Sequence, residues 1–373
     1  MIYLDYAANT PVEAEVLRCF CKAAVDFPGN PNSSHSAGKA AKDEMLRITA
    51  RTAKLLNCKP SEIIYTSGAS EANNLAIKGL VRSYRHKGKH IISTCLEHSS
   101  VSGALTALQE QGYEIELVDV KRDGSVDLDS LKKRLRPDTV LVSICMVDSE
   151  LGTRQPISEI VALLKEYPDV RFHVDAVQAV GKIPVCFDGI DCLSIAPHKF
   201  YGICGCGILL KRDGIILEPL IHGGASTTIY RSGTPALALA AATASALALA
   251  LEKMEARYAY VQHLNEHLRS AFSAYPLVRI NSTALATPYI LNISVKGIKA
   301  TDFQAQLNQR GICVSTKSAC SVPSTPSRPV YAVSGDKKNA LCSWRISLSH
   351  LTTDEEITRF LKIFDEIYRE KTK

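Results

Sequence analysis

No basic segment followed by an apolar run opens the sequence. It begins MIYLDYAANTP, with Asp5 already in place, so no secretory leader is read and a cytoplasmic protein is expected. Blocks of like charge are missing as well, beyond a short cluster at residues 132–136. The 44 basic and 38 acidic side chains leave a net charge of +6, which gives direct nucleic-acid binding little support. The one long apolar tract, residues 235–251, is largely alanine and is broken by Thr243 and Ser245, so it predicts a packed helix and no membrane span. Zinc-pair spacing is lacking too: Cys19 and Cys21, like Cys204 and Cys206, enclose one residue rather than two, and no histidine cluster follows, so no metal is expected. In an intracellular chain of 373 residues, 12 cysteines predict free and mostly buried thiols rather than a disulfide framework. Internal repeats and low-complexity linkers are absent. What remains is ordinary globular usage, 46% apolar and 22% charged, in a chain long enough for one large domain and a smaller one.

Between residue 14 and about residue 250, short apolar or β-branched runs alternate with helical patterns. The runs are EIIYTSG, HIISTCLEH, YEIELVDV, TVLVSICMV, RFHVDAV, CLSIAPH and CGILLKR. Strands joined by crossover helices write this rhythm, and it predicts an α/β fold with a mostly parallel central sheet in a large domain over residues 14–254. Residues 157–167, apolar at Ile157, Ile160, Val161, Leu163 and Leu164, are one such helix. Residues 1–13 and 255–373 are assigned to a small α+β domain. It has a long amphipathic helix over residues 252–274, strands in YILNISV, GICVST and WRISLS, a helix in ATDFQAQLNQRG and a terminal helix opened by the acidic TTDEE. The Ser- and Pro-rich residues 321–338 are read as a mobile loop.

The residue pattern at the strand ends suits an aldehyde cofactor that captures amines. Asp175 closes one strand and Lys199 follows 24 residues later, near one strand, helix and strand repeat. A desolvated lysine amine is a covalent carrier for such a cofactor, and a carboxylate paired with its ring nitrogen keeps that ring an electron sink. Gln178 is placed to reach a ring hydroxyl, and His198 to donate to a phosphate. In TSGASEANN, Ser67, Gly68, Ala69 and Ser70 lead into a helix with Glu71, exposing backbone amides and a hydroxyl where an anion is favoured. His98 in CLEHSSV titrates near neutrality and suits proton transfer. Cys320 in STKSACS opens the Ser- and Pro-rich stretch, where a thiol has the access that a reactive cysteine needs. Arg345 in WRISLS is a cation inside an otherwise apolar strand, costly without a partner and able to hold a carboxylate through two parallel hydrogen bonds.

Together these residues resemble the cysteine desulfurases, NifS- and IscS-like enzymes of class V within the fold-type I pyridoxal phosphate (PLP) proteins. The resemblance runs from YLDYAANTP to RISLSHLTTDEEI. It implies PLP as cofactor, with Lys199 as its covalent holder and Asp175, Gln178, Ser70, Glu71, His98, His198, Thr234 and Ser149 around it. By the same resemblance His98 stacks on the pyridine ring, and Arg345 with Ser149 binds the substrate carboxylate. Thr234, in HGGASTTIYRSGTPA, is similar to a residue that reaches the phosphate of the partner subunit, which implies a homodimer. The implied reaction converts L-cysteine to L-alanine and leaves the sulfur on Cys320 as a persulfide, for delivery to an acceptor protein such as an iron–sulfur scaffold or a tRNA-thiolation enzyme.

The chain departs from the family pattern at several positions. Ser149 in VDSE stands where asparagine is usual, and Ala196 where a serine usually donates to the phosphate, a contact worth about 1.5–3 kcal/mol if it is not replaced. YGICGCG replaces YGPKG, and Lys317 occupies a position commonly glycine. These changes keep two other readings open: another class V enzyme, such as a transaminase or selenocysteine lyase, and a non-catalytic homologue that acts as a binding partner.

Overall fold

A computed structural model describes residues 1–317 and 325–372. Seven strands form the main sheet, in the spatial order Ile63–Thr66, Gly207–Lys211, Cys192–Ile195, Arg171–Asp175, Thr139–Cys145, His90–Ser93 and Glu114–Leu117. Gly207–Lys211 runs antiparallel to both of its neighbours, and all other adjacent pairs are parallel. Each of the seven apolar runs read from the sequence supplies one of these strands. The central strand Thr139–Cys145 is buried along its whole length, as expected for a strand covered by helices on both faces.

Side chains of that strand serve two cores. Val142 and Ile144 join a core with Phe172, Val174 and Leu193, which the helices Ile157–Leu164 and Leu237–Glu252 cover. Val140 and Leu141 face a second core built from the helices Ala69–Ser83 and Ser99–Gln109. The alanine-rich tract is thus the packed helix its composition predicted, and among the described residues no single helix is long and apolar enough to cross a membrane. At Lys253 the chain turns by 65° into the helix Met254–Phe272.

A third core lies around the antiparallel strands Val278–Ile280, Ile290–Val295 and Ser343–Ser347. Phe364 of the last helix, Asp354–Thr372, packs there with ring centroids 4.9 Å from Phe272 and 5.2 Å from Phe303. The strand expected in GICVST shortens to Ile312–Cys313 and pairs in parallel with Ile2–Tyr3. The first residues of the chain are therefore tied to its last third.

The loop read over residues 321–338 is corrected in its described part, where Arg328–Ser334 and Lys337–Cys342 are helices. Local capping overrides composition there. Ser327 accepts from the Val330 amide, Pro329 occupies the first turn, Gly335 ends the helix at φ 65°, and Asp336 caps the next one.

Candidate active site

Parallel strands deliver their carboxyl ends to one edge of the sheet, and loops at such an edge form ligand crevices. The turns after Ile63–Thr66, His90–Ser93, Thr139–Cys145, Arg171–Asp175 and Cys192–Ile195 carry Ser67 to Glu71, His98, Ser149, Gln178 and Lys199 in that order. These residues, with Asp175, His198 and Arg345, line one cavity of about 370 Å³. Nine of the ten non-cysteine residues expected at the site therefore line this cavity; the tenth, Thr234, lies elsewhere, lining a separate cavity with Phe20 and Phe27. Cys320 lies outside the described residues.

Lys199 stands on a short turn, Pro197–Lys199, held from below by Thr10. The Thr10 amide and hydroxyl both donate to the His198 carbonyl, at 3.1 and 2.9 Å, and the hydroxyl accepts from the Tyr201 amide at 2.8 Å. Tyr201 takes φ 68°, uncommon for a bulky residue, and is fixed there by these bonds and by Ser349 at 2.6 Å from its hydroxyl. The Lys199 amine donates to the Ala7 and Ala8 carbonyls, at 2.9 and 2.6 Å. Burial, with Lys199 and Lys182 nearby, lowers the His198 imidazole to about 4.

Asp175 is buried, and its two oxygens accept from the Val177 amide at 3.0 Å and from Asn73 Nδ2 at 2.9 Å. Asn73 also donates to Ser100 Oγ at 2.9 Å, and Ser100 Oγ lies 2.8 Å from His98 Nδ1. The Ser100 amide donates to the same nitrogen, so Nδ1 is an acceptor and a neutral His98 carries its proton on Nε2. Burial lowers the His98 pKa; Asp175 works against that shift and Lys199 adds to it. Asn73 was not singled out from the sequence, although it sits inside SEANN. Its role is to link two other site residues, and no spacing rule reports that.

The helix Ala69–Ser83 begins at the cavity without a side-chain cap, leaving its first amides available to an anion. Gly207 lets the neighbouring strand approach this turn, since a Cβ there would stand 2.6 Å from the Gly68 carbonyl carbon. The Glu71 carboxylate accepts from the Ser67 amide at 2.7 Å and pairs with Arg231 at 3.0 Å, so it braces the turn. Arg345, on strand Ser343–Ser347, is 1% exposed. It donates from Nη1 to the Ser149 carbonyl at 2.7 Å and from Nη2 to Asp5 at 2.8 Å, while Nε has no partner among the described residues. The Asp148 carboxylate accepts from the Glu150 and Leu151 amides, which fixes the turn that presents Ser149.

Glu97 lies next to His98 and is buried. Its Oε1 accepts from Thr94 at 2.7 Å and from the Cys145 amide at 2.9 Å, and burial pushes its carboxyl up to about 8. Glutamate in an unfolded chain titrates near 4.3, so between roughly pH 4.3 and 8 the folded protein holds a proton that the unfolded chain has released, and stability falls as pH rises across that window. Glu97→Gln removes this slope. The variant's stability relative to the unaltered protein should improve by at least about 1 kcal/mol from pH 5 to pH 8, measured by denaturant unfolding at both values. An unchanged difference would mean Glu97 is ionised in the fold.

All eleven described cysteines are free. Cys145 lines the cavity, but burial, with Glu97 beside it, holds its thiol far above the ordinary range.

The donor set fits PLP: a lysine amine, a buried carboxylate and an uncapped helix start border one cavity of matching size. Comparison with known proteins decides the family. The model for class-V aminotransferases matches residues 2–360.

The chain belongs to the class-V aminotransferase family.

Cysteine desulfurase IscS of Dictyoglomus turgidum is 39% identical to it, over 98% of this chain and 94% of that protein. Cysteine desulfurase IscS of Methanosarcina thermophila is 34% identical, over 98% and 91%. Among solved structures, a NifS-like protein superposes with a TM-score of 0.92 at 33% identity, covering 98% of both chains. SspA in complex with cysteine superposes at 0.82 with 31% identity, over 93% of this chain and 99% of that one. The fold-type I architecture expected from the sequence agrees with these likenesses.

Proposed function

We propose that this class-V family member is a PLP-dependent cysteine desulfurase that converts L-cysteine to L-alanine and passes the sulfur to Cys320. The observation that carries the reading is the joint placement of Lys199, Asp175 and buried Arg345 around a single cavity. Bound PLP supplies an aldehyde for amine capture and a ring that draws electrons from the substrate Cα. The Asp175 carboxylate, steadied by Asn73, would accept from the ring nitrogen. Ser70 and the first amides of its helix would hold the phosphate, with His198 beside them, and Gln178 would meet the ring hydroxyl.

Arg345 receives the substrate carboxylate, with Asp5 and the Ser149 carbonyl setting the plane of its guanidinium. The Lys199 amine would remove the proton from Cα, and His98, neutral in this setting, would relay protons on the other side. The Cys320 thiolate attacks the substrate sulfur. The Cβ–S bond breaks, alanine leaves and Cys320 keeps a persulfide. In support of this reach, Lys317 and Thr325, which bracket residues 318–324, line a cavity of about 650 Å³ that shares Leu96, His98 and Ser149 with the first.

We read residues 14–254 as the large domain and residues 1–13 with 255–373 as the small one, a division supported by their separate cores. A homodimer in which Thr234 reaches the partner's phosphate is supported by its place outside its own cavity. Apolar Ile229, 70% exposed on the same segment, supports it too. The onward acceptor is proposed to be a scaffold or tRNA-thiolation protein.

The test is alanine release from cysteine by purified protein with PLP. Cys320→Ser should keep PLP bound while persulfide transfer to an added thiol drops at least about 100-fold, since serine offers no thiolate. Undiminished transfer by that variant, or no alanine from the unaltered protein, would refute the assignment.

A further inference from the structure

Beyond the residues assigned above, a second lysine stands close behind the first. The turn after Arg171–Asp175 ends at Gly181 and Lys182, and Gly181 takes φ 76° where a Cβ would lie 2.8 Å from that of Ala250. Only glycine fits that position, and the turn it permits sends Lys182 inward, where 7% of it remains exposed. Its ammonium donates to Gln178 Oε1 at 2.8 Å and lies 5.9 Å from the centre of the Tyr289 ring. Among the described residues it forms no ion pair. Burial first, then the charges of Lys199 and Arg345, draw its pKa down to about 7.

A buried ammonium without a carboxylate is costly, and a methionine of similar volume would avoid the cost. Its contact with Gln178 shows what the cost secures. An amide side chain can sit in a site either way round, and a flip exchanges a donor for an acceptor. In its charged form, which predominates below about pH 7, the amine has no lone pair to offer, so it can only meet the carbonyl end. Gln178 Nε2 is thereby turned toward the Ala7 carbonyl, 2.9 Å away, the same oxygen that receives the Lys199 amine. The second hydrogen on Nε2 is left for a ligand in the cavity that Gln178 lines.

We infer that Lys182 is a positioning residue that acts through Gln178, locking the amide so that an N–H rather than a C=O meets the ring oxygen of bound PLP. The inference rests on the PLP site proposed above. It separates two effects that a purely structural lysine would join, because losing Lys182 should weaken the cofactor's hold without weakening the fold.

The experiment compares Lys182→Met, Gln178→Ala and the double variant. Each is stripped of cofactor and titrated with PLP, with the dissociation constant and the visible absorbance maximum as readouts and the unfolding midpoint of the stripped protein as control. Each single variant should bind PLP about tenfold more weakly, the size of one lost hydrogen bond. Both should shift the absorbance maximum in the same direction. The double variant should bind no more weakly than Gln178→Ala alone, and the midpoint of Lys182→Met should not fall. Lys182→Gln is the second substitution: its amide no longer dictates which end of Gln178 turns inward, so the same weakening is expected. Additive losses, undiminished affinity in either Lys182 variant, or a midpoint that falls in step with affinity would overturn the inference. Failure of the unaltered protein to bind PLP would overturn the site reading as well.

Discussion

Lys199→Ala should lower alanine release at least about 1,000-fold, because one substitution removes both the proposed covalent holder of the cofactor and the proposed base at the substrate Cα. A positioned general base alone is worth about 10² to 10⁴. Among the described residues, the two nearest basic side chains offer no substitute: His198 is a neutral imidazole with a pKa near 4, and Lys182 is engaged with Gln178. The fold should tolerate the change. The turn is clamped by Thr10 and Tyr201 through backbone atoms and the Thr10 hydroxyl, and none of those bonds uses the Lys199 side chain. The check is alanine formed per enzyme, alongside the absorbance of PLP carried through gel filtration, which should be lost. A variant that kept a tenth of the activity would remove Lys199 from the chemistry.

The second large effect is expected at Arg345. Arg345→Lys should lower kcat/KM for cysteine about 100-fold, mostly through KM, while PLP affinity stays within about twofold. Lysine keeps the charge but not the planar fork, and the fork is already oriented by Asp5 and the Ser149 carbonyl. Truncation to alanine is a poorer probe, since it would strand Asp5 and cost about 3–5 kcal/mol of stability. Steady-state kinetics over a range of cysteine concentrations separate the two constants. A fall in kcat at unchanged KM would place the guanidinium in the chemical step and not in substrate binding.

The sequence reveals residues that act directly and is silent about those that act through others. Asp175 and Lys199 are legible because strands have a fixed period and end abruptly, so a polar residue at the end of an apolar run is visible. Arg345 is legible for a related reason, a charge inside an apolar strand. Asn73, Asp5 and Lys182 were not singled out. Each is a polar residue whose partner lies 102, 340 or 4 positions away, and its meaning comes only from that partner. The seven main strands could be read from pattern, whereas Ile2–Tyr3 is too short to show a period and exists because Ile312–Cys313 pairs with it. The Ser- and Pro-rich stretch misled because those residues serve equally as helix caps and as loop formers. The serine three residues before an apolar position, followed by Pro329, was the overlooked signal.

The opening residues reach across to the end of the chain: Asp5 binds Arg345, and Ala7 and Ala8 receive Lys199. During synthesis, then, the large sheet can form while the cofactor crevice still lacks a wall, and that wall is complete only when the strand holding Arg345 has emerged and met the N-terminus. The grip on an amino-acid carboxylate is accordingly the last part of the crevice to be completed, and a polypeptide cut short before residue 345 would lack the guanidinium that provides it.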